Sequence, residues 1–340
     1  MAARLRVGVV GLGRMGSMHA RYVARNVPGA RLTAVADFDT ERARRVGAEL
    51  DAPNVFGSAA ELAACADVDA VLVATPSVRH PDDVIAIAAE RKDILCEKPL
   101  SLTEQGSADA LAAVERAGIR LQVGLMRRHD ADYLRARERL RGGPCGRPVL
   151  FKSLQFDPEP PPASFADPEV SGGIFVDMGI HEFDLARWLM DDEVVEVHAY
   201  GSTVGVPGLA AARDYDSAVV NLRFASGATG SVELARTAVY GEDVRTEVVG
   251  TEGSVIVGHL PFSHGTWLGR AGIAADPFDP TVLRFTSAYA AQVEAFVAAL
   301  AAGAPVTPTG IDALLALRIA LAARRSAEEG VSVRVAGTGA

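Results

Sequence analysis

The sequence is poor in the features that mark secreted, membrane-spanning and nucleic-acid-binding proteins. It has three scattered cysteines, Cys65, Cys96 and Cys145, with neither CxxC spacing nor an even count, so we expect no disulfide framework and a reduced, cytoplasmic setting. No run approaches roughly 18 uninterrupted apolar residues, which predicts no membrane span. The formal net charge is −9, from 34 basic and 43 acidic residues, and leaves no basic stripe for nucleic-acid phosphates. The expected partner is a small molecule.

Glycine, by contrast, is placed with a clear pattern near the start of the chain. A short β-branched run (6–10, RVGVV) leads into GLGRMG (11–16) and then into a helical stretch. Gly11 suits a tight turn, Gly13 suits close approach of the backbone to a pyrophosphate, and Gly16 suits close packing of helix on strand. Free amides at the start of that helix would bind the anion. The alternative is a purely structural turn.

An acidic residue supports the dinucleotide interpretation. A second predicted strand (32–36) ends in Asp37, about 20 residues beyond the last glycine, where a carboxylate would accept hydrogen bonds from a ribose. Asp37 and Asp39 would repel a 2′-phosphate, so NAD is favoured over NADP. Arg42, if it bends back, would accept that phosphate, which leaves NADP as the open alternative.

Two further strands end in loops that belong at the same edge of the sheet. The first (69–74, DAVLVA) ends in Thr75-Pro76, and the second (93–96) ends in Glu97-Lys98-Pro99. The carboxyl ends of parallel strands are where ligands bind in such folds, so Lys98 is placed to polarise a substrate oxygen. The alternative is a surface lysine paired with Glu97. The residues predicted to contact the dinucleotide are Gly11, Gly13, Arg14, Met15, Asp37, Thr75, Pro76, Glu97 and Lys98.

With 49% apolar residues in 340 positions, the chain exceeds a usual single domain, and its pattern predicts two. Alternating strands and helices predict an α/β, doubly wound parallel sheet in an N-terminal Rossmann domain at 1–125. A connecting helix and linker follow at 126–148. Strand-like runs with short turns then predict an α+β domain with a largely antiparallel open sheet at 149–305. A helix and tail at 306–340 are expected to return to the domain interface.

The segment 172–190, GGIFVDMGIHEFDLARWLM, carries acid-base groups in a helical pattern. Asp177, His181 and Asp184 follow one another at intervals of four and three, which predicts one continuous helix with all three on the same face. Among apolar neighbours they would cost desolvation free energy unless they face a polar cleft or bond one another. The alternative is that Asp177 caps the helix, His181 is a satisfied buried histidine and Asp184 is solvated. A divalent metal on these three groups lacks the further ligands such sites use, so no metal is predicted.

Three segments resemble, in order and spacing, the signature blocks of the glucose-fructose oxidoreductase, inositol dehydrogenase and MocA (Gfo/Idh/MocA) family of nicotinamide-dependent sugar and polyol dehydrogenases. They are GLGRMGSMHA (11–20), CEKPL (96–100) and GGIFVDMGIHEFDLARWL (172–189). A fourth segment, VGLMRRHDADYLRAR (123–137), is most similar to the inositol dehydrogenases. The resemblance implies NAD-dependent oxidation of a secondary hydroxyl of a cyclic polyol or sugar, most like an inositol.

The resemblance also implies roles for single residues. Lys98, Asp177 and His181 match the catalytic positions, with His181 taking the hydroxyl proton, Lys98 stabilising the alkoxide and Asp177 orienting His181 or the substrate. Including residues near the expected pocket, the predicted substrate-binding set is Lys98, Arg127, Gln155, Asp157, Asp177, His181, Asp184 and Tyr240.

Two departures from the inositol dehydrogenases lie near that pocket. QFDP (155–158) stands where those enzymes have a segment like His-Arg-Asn-Pro, and Gly179 stands where threonine is common. A related inositol isomer or a pyranose sugar therefore stays open as substrate, as does a non-catalytic NAD sensor. Because an uncovered sheet face needs a partner to bury it, the resemblance further implies a homodimer or homotetramer formed through the second sheet.

Overall fold

A computed structural model describes residues 4–162, 165–258, 262–270, 272–277 and 284–337. The chain forms two compact units, each assembled from two stretches of sequence. The first comprises Met1–His129 and Ser287–Leu317, and the second comprises Asp130–Thr286 and Arg318–Ala340. None of the helices described in the ranges above is both long and apolar enough to cross a membrane.

The first unit is built on a parallel six-stranded sheet. Its strands are β1 (Leu5–Val10), β2 (Ala30–Ala36), β3 (Asn54–Phe56), β4 (Ala70–Val73), β5 (Asp93–Glu97) and β6 (Leu121–Gly124), and the helices between and after them are α1 (Arg14–Arg25), α2 (Thr40–Glu49), α3 (Ala59–Ala63), α4 (His80–Ala89) and α5 (Glu104–Ala117). The strand order is β3-β2-β1-β4-β5-β6, and every neighbouring pair is parallel. This is the order of a doubly wound dinucleotide-binding sheet, and it confirms the predicted fold of this part of the chain.

The elements after β6 follow the order expected from the sequence, with one additional hairpin. They are α6 (Ala131–Arg141), β7 (Pro148–Phe156), α7 (Pro168–Ser171), α8 (Gly173–Asp177), α9 (Gly179–Met190), β8 (Val194–Ser202), β9 (Ser217–Phe224), β10 (Thr229–Ala235), β11 (Asp243–Gly250), β12 (Ser254–Val257), β13 (Phe262–Gly269), β14 (Gly272–Pro277), α10 (Thr286–Ala301), α11 (Gly310–Glu329) and β15 (Val333–Arg334). Short 3₁₀ turns occupy Ser77–Arg79, Met126–His129 and Pro207–Ala212. The antiparallel hairpin β13–β14 has no counterpart among the predicted strands.

The core of the first unit draws on both of its stretches of sequence. Val7 and Val9 of β1 are fully buried, as parallel strands covered on both faces require. Val293 and Phe296 of α10 are equally buried and belong to the same apolar cluster. The predicted boundaries assign α10 to the range 149–305, whereas its apolar side chains pack in the core of the first unit. A helical pattern shows which face is apolar but not which sheet that face will cover.

The second unit is built on a seven-stranded sheet with the order β12-β11-β7-β10-β9-β8-β15. All neighbouring pairs are antiparallel except β7 and β10, which are parallel. This mixed but mostly antiparallel sheet confirms the predicted fold of the second half.

The two faces of this sheet differ in burial. Along β9, Val220 and Leu222 are buried while Val219 is 44% exposed, the alternation of a strand with one covered face. Helix α9 packs on β7 and β10. Tyr200 of β8 is 64% exposed and pairs directly with Val219 in the strand register. The exposed face of the seven-stranded sheet, called its outer face below, therefore carries apolar side chains.

Candidate active site

The glycine turn between β1 and α1 has the geometry of a dinucleotide cradle. Gly11 has φ +83°, and a Cβ there would lie 2.5 Å from the Thr75 nitrogen. A Cβ at Gly16 would lie 1.6 Å from the Gly11 carbonyl oxygen, so α1 can approach the turn only because position 16 is glycine. Open space surrounds Gly13, and no side chain caps the first turn of α1. The residues present therefore fit a bound pyrophosphate, with backbone approach at Gly13 and free amides behind it.

Asp37 lies at the carboxyl end of β2, beside this turn, and is 3% exposed. Its Oδ2 accepts the Leu12 amide at 2.7 Å, and its Oδ1 accepts the Asp39 amide at 2.9 Å. Arg42 does bend back: its Nη1 donates to Asp37 Oδ2 at 3.3 Å, and its Nη2 lies 3.3 Å from Asp39 Oδ2. The guanidinium is thus held between two carboxylates at the position where an adenosine ribose is expected.

The two predicted loops at the carboxyl ends of β4 and β5 are tied together by a residue that the sequence analysis missed. His80 is 1% exposed; its Nε2 lies 2.8 Å from the Thr75 carbonyl oxygen and its Nδ1 lies 2.7 Å from that of Pro99. Half-buried Lys98 comes directly before Pro99. One imidazole therefore contacts the backbone of both loops at this edge of the sheet.

Glu97 is a buried residue, which is at odds with the alternative of a surface ion pair. It is 7% exposed, and its Oε1 contacts His19 Nε2 at 2.7 Å and Gln292 Nε2 at 3.2 Å. Burial raises the pKa of this carboxyl, but the His19 hydrogen bond and the charges of His19 and Lys98 outweigh it, so the pKa lies below its usual value. Neither His19 nor Gln292 was predicted, since nothing in the local sequence relates them to position 97.

The acid-base segment is not one continuous helix, and that prediction is wrong. Asp177 ends α8, Met178 interrupts the helix, and His181 lies in α9, where its amide donates to the Met178 carbonyl at 3.3 Å. A Cβ at Gly179 would lie 2.8 Å from the Phe183 ring and 3.1 Å from Leu234 Cδ1. The backbone at Gly179 therefore packs closely against β10, and the helix breaks where this contact begins.

The three polar groups of that segment differ in exposure. The Asp177 side chain is 24% exposed, whereas His181 is 5% and Asp184 is 1% exposed. The alternative in which Asp184 is solvated is therefore wrong, because the folded chain buries it. Glu182, between them in sequence, is fully buried and contacts the Ser153 hydroxyl.

A buried arginine that was not predicted approaches Asp177. Arg236 follows β10 and is 2% exposed; its Nη1 contacts Asp214 and its Nη2 lies 3.7 Å from Asp177 Oδ2. The sequence signal for it was an arginine directly after a strand whose buried positions, Val232 and Leu234, are apolar.

The other predicted substrate residues lie in both units. Arg127, in the first unit, is 2% exposed on the 3₁₀ turn after β6. In the second unit, Gln155 Nε2 donates to Asp157 Oδ1 at 3.3 Å, at the end of β7. Tyr240 is 39% exposed, and its hydroxyl donates to Asp243 at 3.0 Å. In the part of the chain that the structure describes, no three His, Cys, Asp or Glu residues are grouped as a metal site.

Known proteins are similar to this chain along nearly its whole length. The family model described as "Oxidoreductase family, NAD-binding Rossmann fold" matches residues 5–125, and the one described as "GFO/IDH/MocA C-terminal domain" matches residues 133–256. The chain is 37% identical to a scyllo-inositol 2-dehydrogenase (NAD(+)) of Bacillus subtilis, over 98% of this chain and 97% of that protein. It is 35% identical to a myo-inositol 2-dehydrogenase of Thermotoga maritima, over 97% and 98%. The crystal structure of a Lactobacillus casei scyllo-inositol dehydrogenase with bound NAD(H) and scyllo-inositol superposes with a TM-score of 0.92 at 28% identity, covering 98% of this chain and 100% of that one.

Proposed function

The chain belongs to the Gfo/Idh/MocA family of NAD-binding oxidoreductases, and we propose that within this family it is an inositol dehydrogenase. It is a dehydrogenase that acts on CH–OH groups, and NAD is its cofactor, as Asp37 predicts. The observation that carries the proposal is similarity at 35–37% identity to several inositol dehydrogenases over nearly the whole of both chains. The substrate is therefore an inositol, oxidised at one secondary hydroxyl.

His181 is the proposed proton acceptor. When bound, NAD supplies the nicotinamide that accepts hydride from the carbinol carbon. An imidazole that removes the hydroxyl proton at the same time acts as a general base, a contribution of typically 10²- to 10⁴-fold. The 5% exposure of His181 supports this role, because a water-excluded base is held in one orientation.

Lys98 and Asp177 have complementary proposed roles. The ammonium of Lys98 stabilises the negative charge that develops on the substrate oxygen as the proton leaves. Asp177 accepts a hydrogen bond from His181 or from a substrate hydroxyl, and its 24% exposure leaves its carboxylate accessible. The other proposed substrate contacts are Arg127, Gln155, Asp157, Asp184 and Tyr240; together they offer the mix of donors and acceptors that a ring bearing many hydroxyls requires.

A pyranose sugar is the second candidate substrate. The observation behind it is that QFDP (155–158), in which Gln155 donates to Asp157, stands where inositol dehydrogenases have a different segment. Specificity depends on the contacts that such side chains make with substrate hydroxyls, since a buried polar group left unpaired costs about 1–3 kcal/mol.

A panel assay separates the two candidates. NADH formation is measured with scyllo-, myo- and D-chiro-inositol and with glucose, galactose and xylose, and each reaction is repeated with NADP. We expect the highest kcat/KM for an inositol with NAD. A higher kcat/KM for any pyranose would replace the inositol assignment with the second candidate, and no turnover of any member would favour an NAD sensor.

We also propose a homodimer or homotetramer formed through the outer face of the second sheet. Val219 and Tyr200 are adjacent and exposed there, so a charge between subunits would be buried without a partner. Val219→Glu is expected to convert the multimer to monomer in light scattering. Ile311→Glu, the same kind of change at a 51% exposed position of the first unit, is the matched control. A wild-type protein that is itself monomeric at assay concentration would contradict the proposal.

A further inference from the structure

Among the described residues, Arg236 is the most completely buried arginine or lysine of the second unit. Its side chain is 2% exposed and ranks among the largest fully buried side chains of the described chain. Transferring a guanidinium out of water costs several kcal/mol unless opposite charges face it. An arginine in such a position therefore has a specific electrostatic task.

Two carboxylates of unequal burial face this guanidinium. Asp214 is 3% exposed and contacts Nη1 directly, so it compensates the buried positive charge. Asp177 is 24% exposed, and its Oδ2 lies 3.7 Å from Nη2, which is within ion-pair range but beyond a hydrogen bond. Nη2 is buried and has no hydrogen-bond acceptor among the residues that the structure describes.

Asp214 and Asp177 lie at opposite ends of α8. Asp214 Oδ1 accepts the Ile174 amide at 2.9 Å, in the first turn of this five-residue helix, and Asp177 is its last residue. A Cβ at Gly173 would lie 2.8 Å from Asp214 Oδ1, so the glycine allows the carboxylate to reach the backbone. Arg236 is itself fixed to the sheet, because its backbone amide donates to the Asp216 carbonyl at 2.8 Å.

We propose that Arg236 is a positioning residue that, together with Asp214, holds the Asp177 carboxylate in place for the reaction. This inference rests on the proposed function, in which Asp177 orients His181 or the substrate. Arg236 acts through Asp177, because its charge attracts the Asp177 carboxylate from the buried side at 3.7 Å.

A double-mutant cycle tests this mode of action. Arg236→Met, Asp177→Asn and the double variant are compared with the unmodified protein in kcat and KM for the best substrate of the panel. A misplacement of about 1 Å can cost roughly 10²-fold in rate, so Arg236→Met is expected to lower kcat by that order. In the Asp177→Asn background it is expected to lower kcat less than about threefold, because residues that act as one unit are not additive.

A conservative variant covers the case in which Arg236→Met does not fold. Lysine keeps the charge but lacks the planar fork that contacts two carboxylates at once. Arg236→Lys is expected to lower kcat roughly tenfold in the unmodified background and to have no effect in Asp177→Asn. Arg325→Met, which removes an exposed arginine paired with Glu329 at 2.8 Å in the second unit, is the matched control and should leave kcat unchanged.

The outcomes separate this inference from the proposed function. Equal losses from an Arg236 variant with and without the Asp177 carboxylate, or no loss at all, would overturn the positioning role even if inositol is turned over. Absence of inositol turnover by the unmodified protein would instead refute the proposed function. The unmodified protein, Arg236→Met, Asp177→Asn and the double variant are therefore also compared in urea unfolding, which needs no substrate. If the two substitutions lower the unfolding midpoint by less together than the sum of their separate effects, the interaction between Arg236 and Asp177 is supported; if their effects simply add, it is refuted.

Discussion

His181→Ala is expected to lower kcat roughly 10²- to 10⁴-fold while the affinity for NAD stays unchanged. The variant removes the proposed proton acceptor, so the hydroxyl proton must pass to water during hydride transfer. All predicted contacts to the dinucleotide lie in the first unit, whereas His181 lies in the second. Single-turnover NADH formation measures the chemical step, and calorimetric titration with NAD measures binding.

Lys98→Ala is expected to produce a loss of similar size, because a charge that stabilises the alkoxide only in the transition state contributes mainly to kcat. The double variant should be little slower than either single variant, since the two groups act on one proton transfer. Asp191→Asn, at the exposed C-terminal end of the same helix as His181, serves as the control. Turnover within tenfold of the unmodified protein in either single variant would contradict the assigned chemistry.

The second large effect concerns the cofactor. Asp37→Ser is expected to shift the ratio of NADP to NAD affinity by roughly 10²- to 10⁴-fold in favour of NADP. A charged hydrogen bond contributes about 1.5–3 kcal/mol, or about tenfold to a hundredfold in affinity. The variant loses one such bond to the ribose hydroxyls of NAD. It also releases Arg42, now 3.3 Å from Asp37 Oδ2, to bind a 2′-phosphate.

The role of Arg42 is checked by calorimetry with NAD, NADP and the fragments 5′-AMP and 2′,5′-ADP, which need no turnover. Arg42→Ala added to Asp37→Ser should abolish the gain in affinity for the 2′-phosphate. Arg44→Ala, which removes an exposed arginine paired with Glu41 on the same helix, should not. If Asp37→Ser still gains affinity for the 2′-phosphate when Arg42 is absent, Arg42 is not the residue that binds this phosphate.

The sequence by itself determined the elements whose parts are neighbours in the chain. The turn at 11–16 was predictable because its glycines are required by the strand directly before it and the helix directly after it. Asp37 was predictable because parallel strands of one sheet place their carboxyl ends at one edge. Family membership followed from these local blocks in their order.

Only the tertiary structure decided which distant residues meet. Ser217 and Ala235 pair across β9 and β10, so Asp214, before one strand, and Arg236, after the other, are brought into contact beside α8. Hydrophobic periodicity indicates that a strand face is buried but not which strand lies beside it. Neither Asp214 nor Arg236 could therefore be predicted as a neighbour of Asp177. For the same reason Gln292, on a helix near the end of the chain, could not be assigned to Glu97. Local sequence specifies local backbone, and the partners of buried charges depend on strand register and helix packing that no single stretch contains.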